Sequence, residues 1–273
     1  MSGRPLTVGL ALVAGTAAVG AATLQSKTAA GFNRYAAAVS ARLDRELRAD
    51  GPFLSIERLP PPEQNARRQA LTRGEVLVSR AARAQDDSDN EIEIDGGIIN
   101  HWRGLIFVPR VSLDQLLANL REPGTDRHKQ EDVLRSVVVS RDGDRQKVYL
   151  RLKRTKVITV YYDTVYDVTY ARLTPSRATS TSLSTRIVEV ENPGTPQERL
   201  RPEGDDHGFM WRLNTYWRYE ERDGGVVIEV ESVTLSRELP LLLRPVARPI
   251  INHIARETLA RTLQSIRARF ERT

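Results

Sequence analysis

Trp211-Arg212-Leu213-Asn214-Thr215-Tyr216-Trp217-Arg218-Tyr219, followed by Asp223-Gly224-Gly225 and Val226 to Arg237, is the stretch that decides the fold. Asp-Gly between two alternating runs is a strong signal for a two-residue hairpin turn. A turn at Asp223-Gly224 sets Arg218 opposite Glu229 and Tyr216 opposite Glu231. On the other face it sets Tyr219 against Ile228, Trp217 against Val230, Thr215 against Ser232 and Leu213 against Thr234. One face gains an opposite-charge pair, and the other becomes apolar with a few hydroxyls, as a one-sided antiparallel sheet requires. Slipping the register by one residue would oppose apolar to charged side chains throughout.

Working outward, Val133–Ser140, Lys147–Arg154, Val157–Leu173 and Ala178–Val190 read as further strands, with Asp142-Gly143 marking another tight hairpin. Upstream, Ile98–Val108 reads as a strand stopped by Pro109. Ser112 then caps a short helix carrying Leu113, Leu116, Leu117 and Leu120 on one side. Downstream, Pro240, Pro245 and Pro249 rule out one continuous helix. Pro249 suits the first turn of a last helix whose stripe is Ile251, Ala255, Leu259, Leu263, Ile266 and Phe270. That stripe needs an apolar partner, and the sheet is the only surface large enough. The fold class is therefore α+β, a curved antiparallel sheet around a long C-terminal helix.

The N-terminal part is helical. Phe32, Ala36, Val39, Leu43 and Leu47 mark one helix, ended by Gly51-Pro52. Leu59 to Pro62 reads as a stiff linker before a short helix, Glu63–Thr72, and a strand, Glu75–Ser79. Arg4, the uncharged run Leu6–Ala22 and the small residues Val19 to Ala22 have the three parts of an export signal. Cleavage is expected after Ala21 or Ala22, with an uncleaved anchor as the alternative. Three regions follow: residues 1–22 as signal peptide, 23–95 as N-terminal helical extension and first strand, and 96–273 as the sheet-and-helix domain. The expected location is periplasmic or secreted.

The 273 residues carry a net charge of +6 and no Cys, which excludes disulfides, thiolate metal sites and a Cys nucleophile. The positive charge is scattered, without the motif or dense patch that nucleic-acid binding needs, so no nucleic-acid partner is expected. Asp205-Asp206-His207 holds ligand-type side chains but lacks a separated third ligand, and His101, His128 and His253 stand alone, so no metal or other cofactor is expected. Neither a nucleophile elbow nor a phosphate loop is present. Leu239 to Leu243 is either a buried connection or an apolar tip making peripheral membrane contact.

Tyr162, Tyr166 and Tyr170 share one face of the longest strand, beside Thr164. With Trp211, Leu213, Trp217 and Tyr219 they either fill a core or line a cavity. Thr164, Thr215 and Ser232 argue for the cavity, because a buried hydroxyl needs a partner. Ile228, Val230, Leu259, Leu263 and Ile266 would complete the walls.

Ile106-Phe107-Val108-Pro109 leading into Leu113 to Leu117, Val160 to Tyr170, and above all Trp211 to Tyr219 through Asp223-Gly224-Gly225 to Glu231–Arg237 resemble the START/Bet v 1-like, or polyketide cyclase-like, superfamily in its bacterial, often exported form. The resemblance spans about Gly96 to Thr273. Thr125–Gln130 departs from it, lacking the aromatic and Pro that relatives place after the short helix. It implies a helix-grip fold with a cavity between sheet and helix. It also implies a hydrophobic small molecule or lipid as ligand, or catalysis in the same cavity; binding without chemistry is the expectation. A cyclase or hydrolase using the same cavity, and an envelope interaction protein with a filled core, are the alternatives.

Overall fold

Asp223 and Gly224 both take positive φ, 53° and 75°, the pair of left-handed residues that a tight hairpin turn demands. The register is the expected one: Arg218 stands opposite Glu229, Trp217 opposite Val230, and Thr215 opposite Ser232. The hairpin lies inside a larger sheet in a computed structural model that describes residues 24–48, 51–86, 88–122, 132–155, 159–202, 206–238 and 244–271. The export segment, Thr125–Gln130 with His128, Asp205 and Leu239–Leu243 lie outside those residues.

The elements run α1 (Ser26–Arg48), α2 (Pro61–Thr72), β1 (Leu77–Arg80), β2 (Gly97–Pro109) and α3 (Leu113–Arg121). Then come β3 (Val133–Asp142), β4 (Arg145–Thr155), β5 (Thr159–Thr174), β6 (Arg177–Glu191), β7 (Arg199–Leu200), β8 (Arg212–Arg222), β9 (Gly225–Arg237) and α4 (Arg244–Ala268). The strand order is β1-β2-β9-β8-β6-β5-β4-β3, with β7 on β6 and every pairing antiparallel. Ser112 caps α3 through a reciprocal box: its Oγ accepts from the Gln115 amide, and Gln115 Oε1 accepts from the Ser112 amide.

Some boundaries differ from expectation for local reasons. The β3–β4 turn is Gly143-Asp144, one residue on, because Asp142 still pairs with Arg145. Pro61 and Pro62 open α2 instead of linking to it, since a first-turn residue has no helical N–H bond to lose. α4 begins at Arg244, ahead of Pro249. Pro245 occupies its first turn, and Pro249 has no N–H to donate one turn back.

The larger difference concerns the sheet's outer face. A one-sided sheet would leave Arg218, Glu229 and Glu231 in water, yet they are 5%, 3% and 3% exposed. Phe32, Tyr35, Val39 and Leu43 of α1 pack on Ile99, Tyr216, Val233 and Leu235. Phe53, Leu54, Ile56 and Leu71 cover Leu105 and Val227 beside them. β2, β8 and β9 are therefore buried on both faces. Glu231 accepts from His101 Nε2 at 2.6 Å and from Arg103 at 2.8 Å, and pairs with Arg42 of α1. Tyr35 of α1 meets His101 Nδ1 at 2.9 Å. Arg218 bridges Glu46 at 2.5 Å and donates to the Phe53 carbonyl at 2.8 Å, while Glu229 accepts from the Ser55 amide at 2.8 Å. The charges missing from solvent are the polar side of an ionic layer that fastens α1 to the sheet.

On the inner face, α4 lies on β2. A side-chain carbon added at Gly104 would stand 2.7 Å from Leu263 Cδ1, so glycine here sets how closely the helix approaches. Ile106, Val108, Ile228, Val230, Leu259, Leu263 and Ile266 form the core between them, closed at one end by Leu113, Leu116 and Leu117 of α3.

A cavity between sheet and helix

Beyond that core the sheet and α4 separate. Residues far apart on the sheet, Trp102 of β2 and Val138 of the edge strand β3, border one space of about 670 Å³ with Ala255, Thr258 and Leu259 of α4 on its other side. The sheet thus wraps the helix and leaves room for a ligand of small-lipid size.

Tyr162, Tyr166, Tyr170, Leu213, Thr215, Trp217, Tyr219, Ser232, Leu259 and Ile266 border this space. Alternation along β5, β8 and β9 turns them to one face. Ile228, Val230 and Leu263 do not border it: they are fully buried in the core where α4 touches the sheet. Thr164 is also fully enclosed, its hydroxyl donating to the Leu150 carbonyl at 3.0 Å. Trp211 lies on the opposite face, packed under α1 with Nε1 donating to Asp206 at 3.1 Å. It precedes the first residue of β8, so the alternation that places Leu213 inward does not extend to it.

The walls are mostly apolar, with polar groups at intervals. Trp217 and Tyr219 stack with centroids 6.4 Å apart. Trp217 Nε1 donates to Thr215 Oγ1 at 2.8 Å, Tyr219 shares a bond with Ser180 at 2.9 Å, and Tyr170 donates to the Leu120 carbonyl at 3.2 Å. Burial raises the Tyr170 phenol to about 12 and lifts Tyr162, Tyr166 and Tyr219 above their ordinary value, so all four stay protonated. Tyr166 Oη and Trp102 Nε1 are buried without a hydrogen-bond partner among the described residues. Such groups are costly unless something supplies an acceptor.

Sequence reading missed Arg154, Gln146, Met210 and His207, all on the cavity wall. Arg154 carried a usable signal. It shares strand parity with Val148, Leu150 and Leu152, which face the same space. His207 Nδ1 meets Glu189 at 2.7 Å, and Glu189 is 3% exposed. Among the described residues no cluster of three ligand-type side chains forms, and Asp206 is taken up by Trp211 and the Gly208 amide.

No family model matches the chain, and no curated protein matches it in sequence. Solved structures do. A STAR-related lipid transfer protein fragment from Xanthomonas axonopodis is 17% identical, with 72% of this chain and 98% of that one covered at a TM-score of 0.46. The Zhui aromatase/cyclase from Streptomyces is 12% identical over 64% and 95%, at 0.40. A START superfamily protein from Mycobacterium smegmatis is 8% identical over 64% and 97%, at 0.39. By its own element order, strand pairing and gripped C-terminal helix, this chain has a helix-grip fold.

Proposed function

We propose that the protein binds a hydrophobic small molecule or lipid in this cavity, without chemistry, in the cell envelope after export. The observation that carries the reading is the space of about 670 Å³, walled by Leu213, Trp217, Leu259 and Ile266 and interrupted by a few hydroxyls. Apolar walls would supply most of the affinity, at about 25 cal/mol per Å² removed from water before the cost of association. Ser182, Thr215 and Ser232 are direct cross-strand neighbours along the wall, so they form a polar row on which an oxygen-bearing group can be oriented.

Native mass spectrometry of protein purified from its own envelope should find a hydrophobic molecule bound. Trp217→Ala should weaken uptake of a fluorescent lipid by about 2 kcal/mol, through lost apolar contact. Thr215→Val should cost about 1 kcal/mol, one hydrogen bond. Equal affinity of wild type and Trp217→Ala would mean that ligand does not use this wall. Export is tested separately: the mature chain should begin just after Ala21 or Ala22, and an intact Met1 in the envelope fraction would leave the anchor reading standing.

One observation favours the enzymatic alternative, the His207–Glu189 pair on the cavity wall. A histidine held by a buried carboxylate is a competent general base. A bound molecule recovered unaltered supports binding. Conversion by wild type and not by His207→Gln would support the enzyme.

A further inference from the structure

Arg154 is a cation placed where the fold otherwise puts hydrocarbon. It lies near the end of β4 on the cavity wall with Leu152, Val160 and Tyr162, and its side chain is only 23% exposed. Its carboxylate partner among the described residues is Asp132, whose Oδ2 lies 3.1 Å from Arg154 Nη1. The same oxygen also meets Arg261 Nη2 of α4 at 3.4 Å. Among the described residues, then, Arg154 shares its carboxylate with a second guanidinium, which also has Glu257 Oε1 at 4.0 Å. The remaining contacts of Arg154 also use Nη1, two carbonyls at 3.5 Å, so Nε and Nη2 have no protein acceptor among the described residues.

Desolvation lowers the basicity of Arg154, opposed by the negative charge of Asp132. Tyr166, 4% exposed, keeps its proton, and its Oη has no hydrogen-bond partner among the described residues. A guanidinium edge without an acceptor and an unanswered donor on one wall are an incomplete set, and its complement is an anion. The neutral row of Ser182, Thr215 and Ser232 lies elsewhere on the sheet and can hold uncharged oxygens. The rest of the wall takes a tail.

We propose that the cavity takes an amphiphile with a compact anionic head group, a carboxylate or a phosphate monoester, and that Arg154 anchors that head through its free guanidinium edge. This rests on the cavity-binding reading and narrows it to a ligand class. A bidentate guanidinium–oxyanion contact needs two parallel N–H groups on one edge, which Nε and Nη2 provide.

The test compares a fluorescent polyene fatty acid with its methyl ester, which differ only in the head group, on the full chain. The acid should bind wild type about tenfold tighter, as one charge-assisted contact implies. Arg154→Met keeps the stem and removes the charge, and should bring the acid's affinity down to the ester's. Retained ester binding also shows that the variant is folded. Arg154→Lys should keep part of the preference. Stronger displacement by a monoacyl glycerol phosphate than by unlabelled fatty acid assigns the head to phosphate, and the reverse order assigns it to carboxylate. Equal wild-type affinity for acid and ester overturns the proposal and leaves cavity binding intact. The same holds if Arg154→Met weakens both probes alike. If wild type takes up neither probe nor the competitor, both readings fail.

Discussion

Glu231→Gln should lower the unfolding free energy by about 3–5 kcal/mol, the usual loss when one member of a buried ionic cluster is removed. Glu231 is 3% exposed and answers His101, Arg103 and Arg42 at once, so an amide of the same shape leaves three donors facing a neutral group. The same carboxylate sets an acid-side dependence. Burial alone would raise its pKa, but the His101 hydrogen bond and the charges of Arg103 and Arg42 outweigh burial and hold it well below the carboxylate range. Glu46 behaves alike: hydrogen bonds from Arg218, Arg58 and Arg42 overcome desolvation and bring it to about 2. For groups depressed in the folded state, the stabilisation is full above the unfolded pKa, about 4.5, and is lost as pH falls toward the folded value. Urea midpoints of wild type should therefore drop steeply below about pH 4.5. Those of Glu231→Gln should start lower and drop less. Parallel curves for the two would show that the layer does not couple to protons.

Leu263→Ala should cost about 3 kcal/mol, within the range for emptying a fully buried leucine site. Leu263 is 0% exposed and fills the closest approach of α4 to β2. The effect should be non-additive with Gly104. A methyl added there meets Leu263 Cδ1 at 2.7 Å and the Leu259 side chain at 3.2 Å, so Gly104→Ala alone should destabilise by overpacking. Once Leu263 has been truncated, the worse of those contacts is gone, and the double variant should be more stable than the two single losses predict, by about 1 kcal/mol in a double-mutant cycle. Strict additivity would mean that α4 moves freely over β2, and the grip would be looser than the contact implies.

Much of this architecture could be read from the chain, because its signals are local. Asp223-Gly224 fixes a turn and a turn fixes a register, and the stripe from Ala255 to Phe270 repeats at helical spacing. What failed was knowledge of what lies above the sheet. Arg218, Glu229 and Glu231 look like a solvated face because their partners, Arg42, Glu46 and Ser55, lie more than 150 residues away in sequence and no local pattern joins them. The candidate site divides on the same line. Strand parity carried Leu213, Thr215, Trp217 and Tyr219 to the cavity. Parity alone cannot tell a residue beside a void from one beneath the helix, which is why Ile228, Val230 and Leu263 sit in core. Trp211 lies outside the strand whose parity was applied to it. Arg154 was legible by parity and hidden by its charge, since an arginine near a strand end ordinarily marks solvent.

The ionic layer under α1 also constrains how the sequence can change over generations. Two glutamates, 229 and 231, stand among His101, Arg103, Arg42 and Arg218. Losing a glutamate first strands several cations in a dry interior, whereas losing Arg42 first leaves Glu231 with two donors. A lineage moving toward an all-hydrocarbon layer therefore has a passable order, peripheral cations before central acids, and an impassable one. Sequences that still place an acid at the Glu231 position should tolerate varied residues at Arg42. Those that have lost the acid should have lost the histidine too.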